Sequence, residues 1–222
     1  MIFLCAIKLA PDSIFETAIT LFQRGGMVMW PLLVCSLIAA AQAIERILCY
    51  TRERTADALA GKNMERIFAA LALGHFKEAE KVASETASGG GRIILAGLRQ
   101  RDVALRDALT AAAELEIAAL RRGLTVLDTI ITLAPLLGIL GTVTGIIRSF
   151  HMLSASGAQD PAAVTGGIAE ALITTAAGLV ISILSLIPFN AAVSIVRRRT
   201  RGFDQLVHRV VVTCERGGSN GA

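Results

Sequence analysis

The chain has 222 residues, 54% of them apolar but only 5% aromatic, and its mean hydropathy is +0.61. So aliphatic a composition excludes an ordinary soluble domain. A formal charge of +4, carried mostly by loops flanking apolar runs, reads as membrane topology and excludes a nucleic-acid surface.

Residues 1–26 form an N-terminal segment. Ser13 and Glu16 have capping-box spacing, and Ile14, Ala18, Leu21 and Phe22 fall on one face. The pattern predicts a short amphipathic helix lying on the membrane surface, broken by Gly25-Gly26. The first span is expected over 27–48, with 18 uncharged residues from Met27 to Ile44. Trp30 at one end and Glu45-Arg46 at the other sit where interfacial anchors belong. Its small residues, Ser36 and Ala39 to Ala41, suit close helix packing.

Residues 49–126 are polar and expected to form a helical domain. A helix is predicted over 62–84, with Ile67, Leu71 and Phe76 inside, then a break at Gly89-Gly90-Gly91. A second helix is predicted over 92–123, continuing into the next span.

The second span is expected over 127–150, with 19 uncharged residues between Asp128 and Arg148. Pro135 in mid-helix leaves a carbonyl that neighbouring helices must satisfy. Gly138, Gly141 and Gly145 recur at three- and four-residue steps, which lets another helix approach closely. No GK[ST] follows them and no strand precedes, so they are not a phosphate loop. A turn is expected over 151–160.

The third span, 161–196, has 36 residues with one ionisable side chain, Glu170. That exceeds the roughly 20 residues a bilayer core requires. Asp160-Pro161 reads as an N-cap followed by proline at the first helical position. At 100° per residue, Thr174, Gly178 and Ser185 fall within about 80° of Glu170, with Thr175 and Ser182 further round. One side of this helix is small and polar and the other greasy, so it faces an interior on one side and lipid on the other. Arg197, Arg198, Arg199 and Arg201 open a basic tail, 197–222, suited to anionic lipid at the membrane surface.

The 22 Lys and Arg fix an orientation. Thirteen lie in 46–122 and six after residue 196, against two before the first span and Arg148 alone between the second and third. The positive-inside rule places the polar domain and tail in the cytoplasm, and the N-terminus outside. Residues at equal depth on the antiparallel second and third spans have numbers of constant sum. If Thr142 and Thr175 share a level, Arg148 lies beside Glu170, and the two form a candidate ion pair at the outer rim.

The stretches APLLGILGTVTGIIRSF and GIAEALITTAAGLVISILSLIPFN, with GGMVMWPLLVCS in the first span, closely resemble the ExbB/TolQ/MotA proton-channel family, and within it the ExbB/TolQ branch. The resemblance covers all three spans and the long cytoplasmic insertion. It implies an all-α inner-membrane protein with N-terminus periplasmic and C-terminus cytoplasmic. The second and third helices would extend into the cytoplasmic domain, and five copies would form a homopentameric ring. One or two helices of an ExbD/TolR-like single-span partner would occupy the pore. Proton flow would drive rotation that energises a TonB/TolA-like protein. By motif position Thr142 and Thr175 would be pore-lining hydroxyls and Glu170 the acidic residue of the pathway. Two departures stand out: Thr174 doubles the hydroxyl beside Thr175, which makes it an alternative pore-lining residue, and Arg148 adds a basic residue to the motif.

Other classes fare worse on the residues. No nucleophile–base pairing, metal-ligand spacing or nucleotide motif occurs, so neither an enzyme nor a cofactor or metal site is expected. Cys5, Cys35, Cys49 and Cys214 lack the spacing of a zinc site or disulfide framework. The remaining rival is a passive oligomeric membrane scaffold without proton conduction.

Overall fold

A computed structural model describes residues 19–23, 25–156 and 161–219, and every regular element among them is helical. After a helical stretch at 19–23 come six helices. They are α1 (Met29–Ala72), α2 (Phe76–Ser84), α3 (Gly89–Arg99), α4 (Arg101–Arg121), α5 (Leu124–Ser156) and α6 (Pro161–Ser219). Windows in α1, α5 and α6 are long and apolar enough to cross a membrane. The capping box at Ser13–Glu16, the Asp160 cap and residues 157–160 of the expected turn lie outside the described residues, while 151–156 of that turn continue α5 as helix.

The chain divides into two compact units, 1–42 with 126–188 and 43–125 with 189–222. The first unit holds the apolar windows. In α1, Met29, Leu32, Cys35 and Ala39 are buried while Leu33, Val34, Leu37 and Ile38 are exposed, the one-sided burial that 3.6-residue periodicity produces. Trp30 is 63% exposed near the helix start, and Phe22 packs edge to face on it with ring centroids 5.3 Å apart.

The second unit has a core of aliphatic and aromatic side chains. Ile67 and Leu71 of α1, Ile93 and Ile94 of α3, Leu109 of α4 and Val210 of α6 are all fully buried. Arg92 grips Glu116 through two bonds, Nε to Oε1 at 2.7 Å and Nη2 to Oε2 at 2.6 Å. These charge-assisted bonds hold its guanidinium above its already high usual range.

The helix boundaries differ from the expected ones for local reasons. The helix expected over 62–84 is two. Gly74 at φ +73° ends α1, with His75 N–H donating to Ala70 O at 2.9 Å and Gly74 N–H to Leu71 O at 3.2 Å. That is the Schellman arrangement, which favours glycine. The glycine run is not a break. Ser88 accepts from Gly91 N–H and caps a helix whose buried first turn contains Gly89, Gly90 and Gly91. The helix expected over 92–123 is also two, separated at Gln100, and α4 does not run into the second span. Gly123 at φ +79° precedes the start of α5. The expected tail is helical to Ser219, and its Phe203, Val210, Val211 and Cys214 are buried in the core.

Candidate functional site: the contact between the second and third apolar helices

Five residues of α5, Ala134, Gly138, Gly141, Gly145 and Ser149, are buried at three- and four-residue steps. They meet Gly178, Thr174, Ala171 and Gly167 of α6 in reverse order. A Cβ on Gly138 would come within 3.0 Å of Thr175 Cα, and one on Gly145 within 2.9 Å of Ala171 Cβ. On Gly141 it would overlap the Thr174 side chain, and on Gly178 the Ala134 carbonyl. The helices therefore approach at backbone distance, through positions where no side chain fits.

Two hydroxyls of α6 cross this contact. Thr175 Oγ1 donates to Gly138 O at 2.9 Å, and Ser182 Oγ donates to Ile131 O at 2.7 Å. Ile131 stands four residues before Pro135, so its carbonyl is the one the proline leaves without an intrahelical donor. The expectation that a neighbouring helix satisfies it thus acquires a named donor, Ser182. The i−4 position marks the carbonyl in the sequence, but the register expected from Thr142 and Thr175 points one turn past Ser182, to Leu186.

Thr174 is only 1% exposed and bonds carbonyls of its own helix, Ala171 O at 2.8 Å and Glu170 O at 3.2 Å. With Gly178 and Ser185 it forms the polar side of α6, which within one chain is already buried. Thr142 is half-buried and donates to Ile139 O at 2.6 Å. It borders a groove of about 270 Å³ with Ile146, Phe150, Ile168 and Leu172. Thr142 and Thr175 do not share a level. Thr175 is level with Gly138, so Thr142 lies one helical turn beyond it, about 6 Å.

Beyond the hydroxyls Arg148 Nη1 stands 3.6 Å from Glu170 Oε2, the arginine side chain 67% exposed and the glutamate 23%. Sequence and structure thus bring this pair together, while Thr142 and Thr175 remain on separate rungs. Among the described residues no cluster of His, Cys, Asp and Glu is arranged to hold a metal.

Three apolar helices long enough to cross a membrane, two of them locked by a glycine and hydroxyl ladder, define a polytopic α-helical membrane protein. The model of the MotA/TolQ/ExbB proton channel family matches residues 85–205, more than half of the chain, and the chain belongs to that family. It is 38% identical to the ExbB-like biopolymer transport protein 1 of Synechocystis sp. over 204 residues, which is 87% of this chain and 79% of that one. It is 32% identical to a biopolymer transport ExbB homologue of Methanothermobacter thermautotrophicus, over 78% of this chain and 61% of that one. It is 35% identical to the biopolymer transport protein ExbB of Xanthomonas campestris pv. campestris, over 63% of this chain and 52% of that one. The ExbB-like branch is therefore the one it joins.

Proposed function

We propose that this chain is the stator subunit of an ExbB–ExbD/TolQ–TolR-like inner-membrane motor. It forms a homopentamer around an ExbD/TolR-like single-span partner and uses proton flow to energise a TonB/TolA-like protein. The N-terminus lies on the periplasmic side and 49–126 and 197–222 in the cytoplasm. Arg197 and Arg198 are exposed beyond the third apolar window, free to meet anionic lipid. Arg199 is tied instead to Asp57.

The observation that carries this reading is the Arg148–Glu170 pair beyond Thr142 and Thr175, on the two helices inside the family match. Each of the two threonine hydroxyls has given its proton to a carbonyl, and so presents acceptor lone pairs to any water beside it. Acceptors are what a protonated water requires of a wall. A proton crossing 100 mV releases about 2.3 kcal/mol, so an appreciable mechanical step draws on more than one. Because the polar side of α6 is already buried within one chain, closure of a ring serves to enclose the partner rather than to hide Thr174 and Ser185.

The Thr175 bond to Gly138 O favours a second reading, the passive scaffold, in which that hydroxyl only fastens two helices and the Thr142 hydroxyl only bonds its own helix. Substitution separates the two. Thr142→Val removes a hydroxyl that bonds a carbonyl of its own helix and keeps the volume. Co-expressed with its partner, it is expected to assemble normally and lose most energised function in a growth assay that depends on the system. Full function in this variant, with Thr175→Val affecting assembly alone, would favour the scaffold.

A further inference from the structure

Glu170 has a third neighbour. Its carboxylate lies against Gly26, on the turn that leads into α1, so closely that a Cβ there would overlap Oε1 and stand 2.6 Å from Cδ. Gly26 holds φ at +66°, and its carbonyl accepts from Met29 N–H at 3.3 Å, suspending the first turn of α1. Gly25 beside it is buried, and the Phe22–Trp30 ring pair brackets the turn. The other carboxylate oxygen faces Arg148. One side chain thus touches the chain leading into the first apolar helix, the end of the second, and its own third.

We propose that Gly26 is a positioning residue for Glu170: its bare α-carbon is the wall against which the carboxylate rests, and this contact aims the carboxylate at Arg148. A Cβ at this position would occupy the space of Oε1 and crowd Cδ, so the flexible end of Glu170 must turn away from Gly26, and the aim of its other oxygen at Arg148 is lost. The turn before the first span thereby decides whether the outer end of the wall is latched or loose. The inference rests on the reading of Glu170 as a group of the pore's outer end, and it extends that site to a segment remote in sequence.

The test uses the full-length protein purified with its partner, and two variants of Gly26. Gly26→Ala adds a methyl and strains the backbone. Gly26→Asn adds the same Cβ, but asparagine adopts positive φ with much less strain. In each background, melting temperatures of Arg148→Met, Glu170→Gln and the double variant report whether the pair is coupled. With Gly26 the two changes are expected to be non-additive. With Ala or Asn they are expected to become additive, at a melting temperature several degrees lower. Glu170→Ala removes the overlapping atoms, so in that background Gly26→Asn is expected to cost only the small strain of asparagine at positive φ.

Gly26→Asn with coupling and melting unchanged would overturn the proposal and leave Gly26 as a turn residue. Loss of folding in Gly26→Asn that Glu170→Ala does not restore would overturn it too. If coupling disappears as expected while Glu170→Gln keeps full energised function, the positioning role stands and the pore reading of Glu170 fails.

Discussion

Pro135 shows how one residue's deficit becomes another's function. Its ring removes the donor that would satisfy Ile131 O, and Ser182 supplies one from the facing helix at 2.7 Å. Ser182→Ala is therefore expected to destabilise the protein by about 1 kcal/mol, the usual worth of a hydrogen bond between membrane helices. In a Pro135→Ala background the loss should shrink, because residue 135 then donates its own N–H. Equal losses in both backgrounds, measured by denaturation in mild detergent, would contradict the pairing. Cys214 carries a prediction about pH. Burial pushes its thiol above the usual cysteine range, against a smaller opposing pull from Arg101. Its thiolate is thus scarce at pH 7 and grows as pH rises, so maleimide labelling of Cys214 is expected to accelerate well above pH 8.5. A rate already saturated at pH 7.5 would refute that. The pairing of Arg148 with Glu170 follows in the sequence from the antiparallel course of the two spans, and the structure brings them to 3.6 Å although the expected level of Thr142 with Thr175 does not hold. The Gly26 contact was not legible in the sequence, since it joins a turn to a residue far along the chain and depends on a backbone angle that no periodicity encodes.

Among the elements, glycines divide into two kinds, and helix propensity alone does not tell them apart. Gly141 has no room for a methyl, whereas a Cβ on Gly61 meets nothing within 4 Å. Gly61→Ala is accordingly expected to stabilise α1 by about 0.5–1 kcal/mol, the helix preference for alanine. Gly141→Ala should instead force α5 and α6 apart at Thr174. If both raise the melting temperature, the close contact is wrong. The three apolar runs were readable because length and charge depletion suffice to identify a span. Helix ends were less so. The breaks at Gly74 and Gly123 depend on positive φ, and the capped run at Gly89 on a single serine hydroxyl. The register of α5 on α6 differs from the expected one by one turn at Thr142, because the glycines meet side chains unevenly along the contact. The burial of 203–214 had a signal that charge obscured: Phe203, Val210 and Cys214 keep helical spacing within a run rich in arginine.

At the scale of the whole molecule, α6 has 59 residues in one helix, a contour of roughly 90 Å at 1.5 Å per residue. A bilayer core takes about 30 Å of that. Residues 189–219 of α6 belong to the second unit, whose core they help to build. The proposed sidedness rests on charge: Cys49, which is only half-buried, is expected to be shielded in intact cells from a membrane-impermeant thiol reagent and to react once the inner membrane is opened. Reaction of Cys49 in intact spheroplasts would reverse the proposed topology. For the assembly, native mass measurement in mild detergent is expected to give five copies of this chain with its partner, and monomers alone would dismiss the ring.

The Ile131 carbonyl also bears on how the protein is made. Ile131 precedes its donor Ser182 by 51 residues, so until the third helix is in place the second offers lipid a carbonyl without a donor. An unsatisfied backbone group in hydrocarbon costs several kcal/mol. The nascent chain should therefore keep this helix beside the insertion machinery until the third arrives, and release the two as a hairpin. A chain truncated at residue 160 is expected to integrate less completely than the full chain, and Pro135→Ala to restore it. Biogenesis thus inherits an order of events from a single proline.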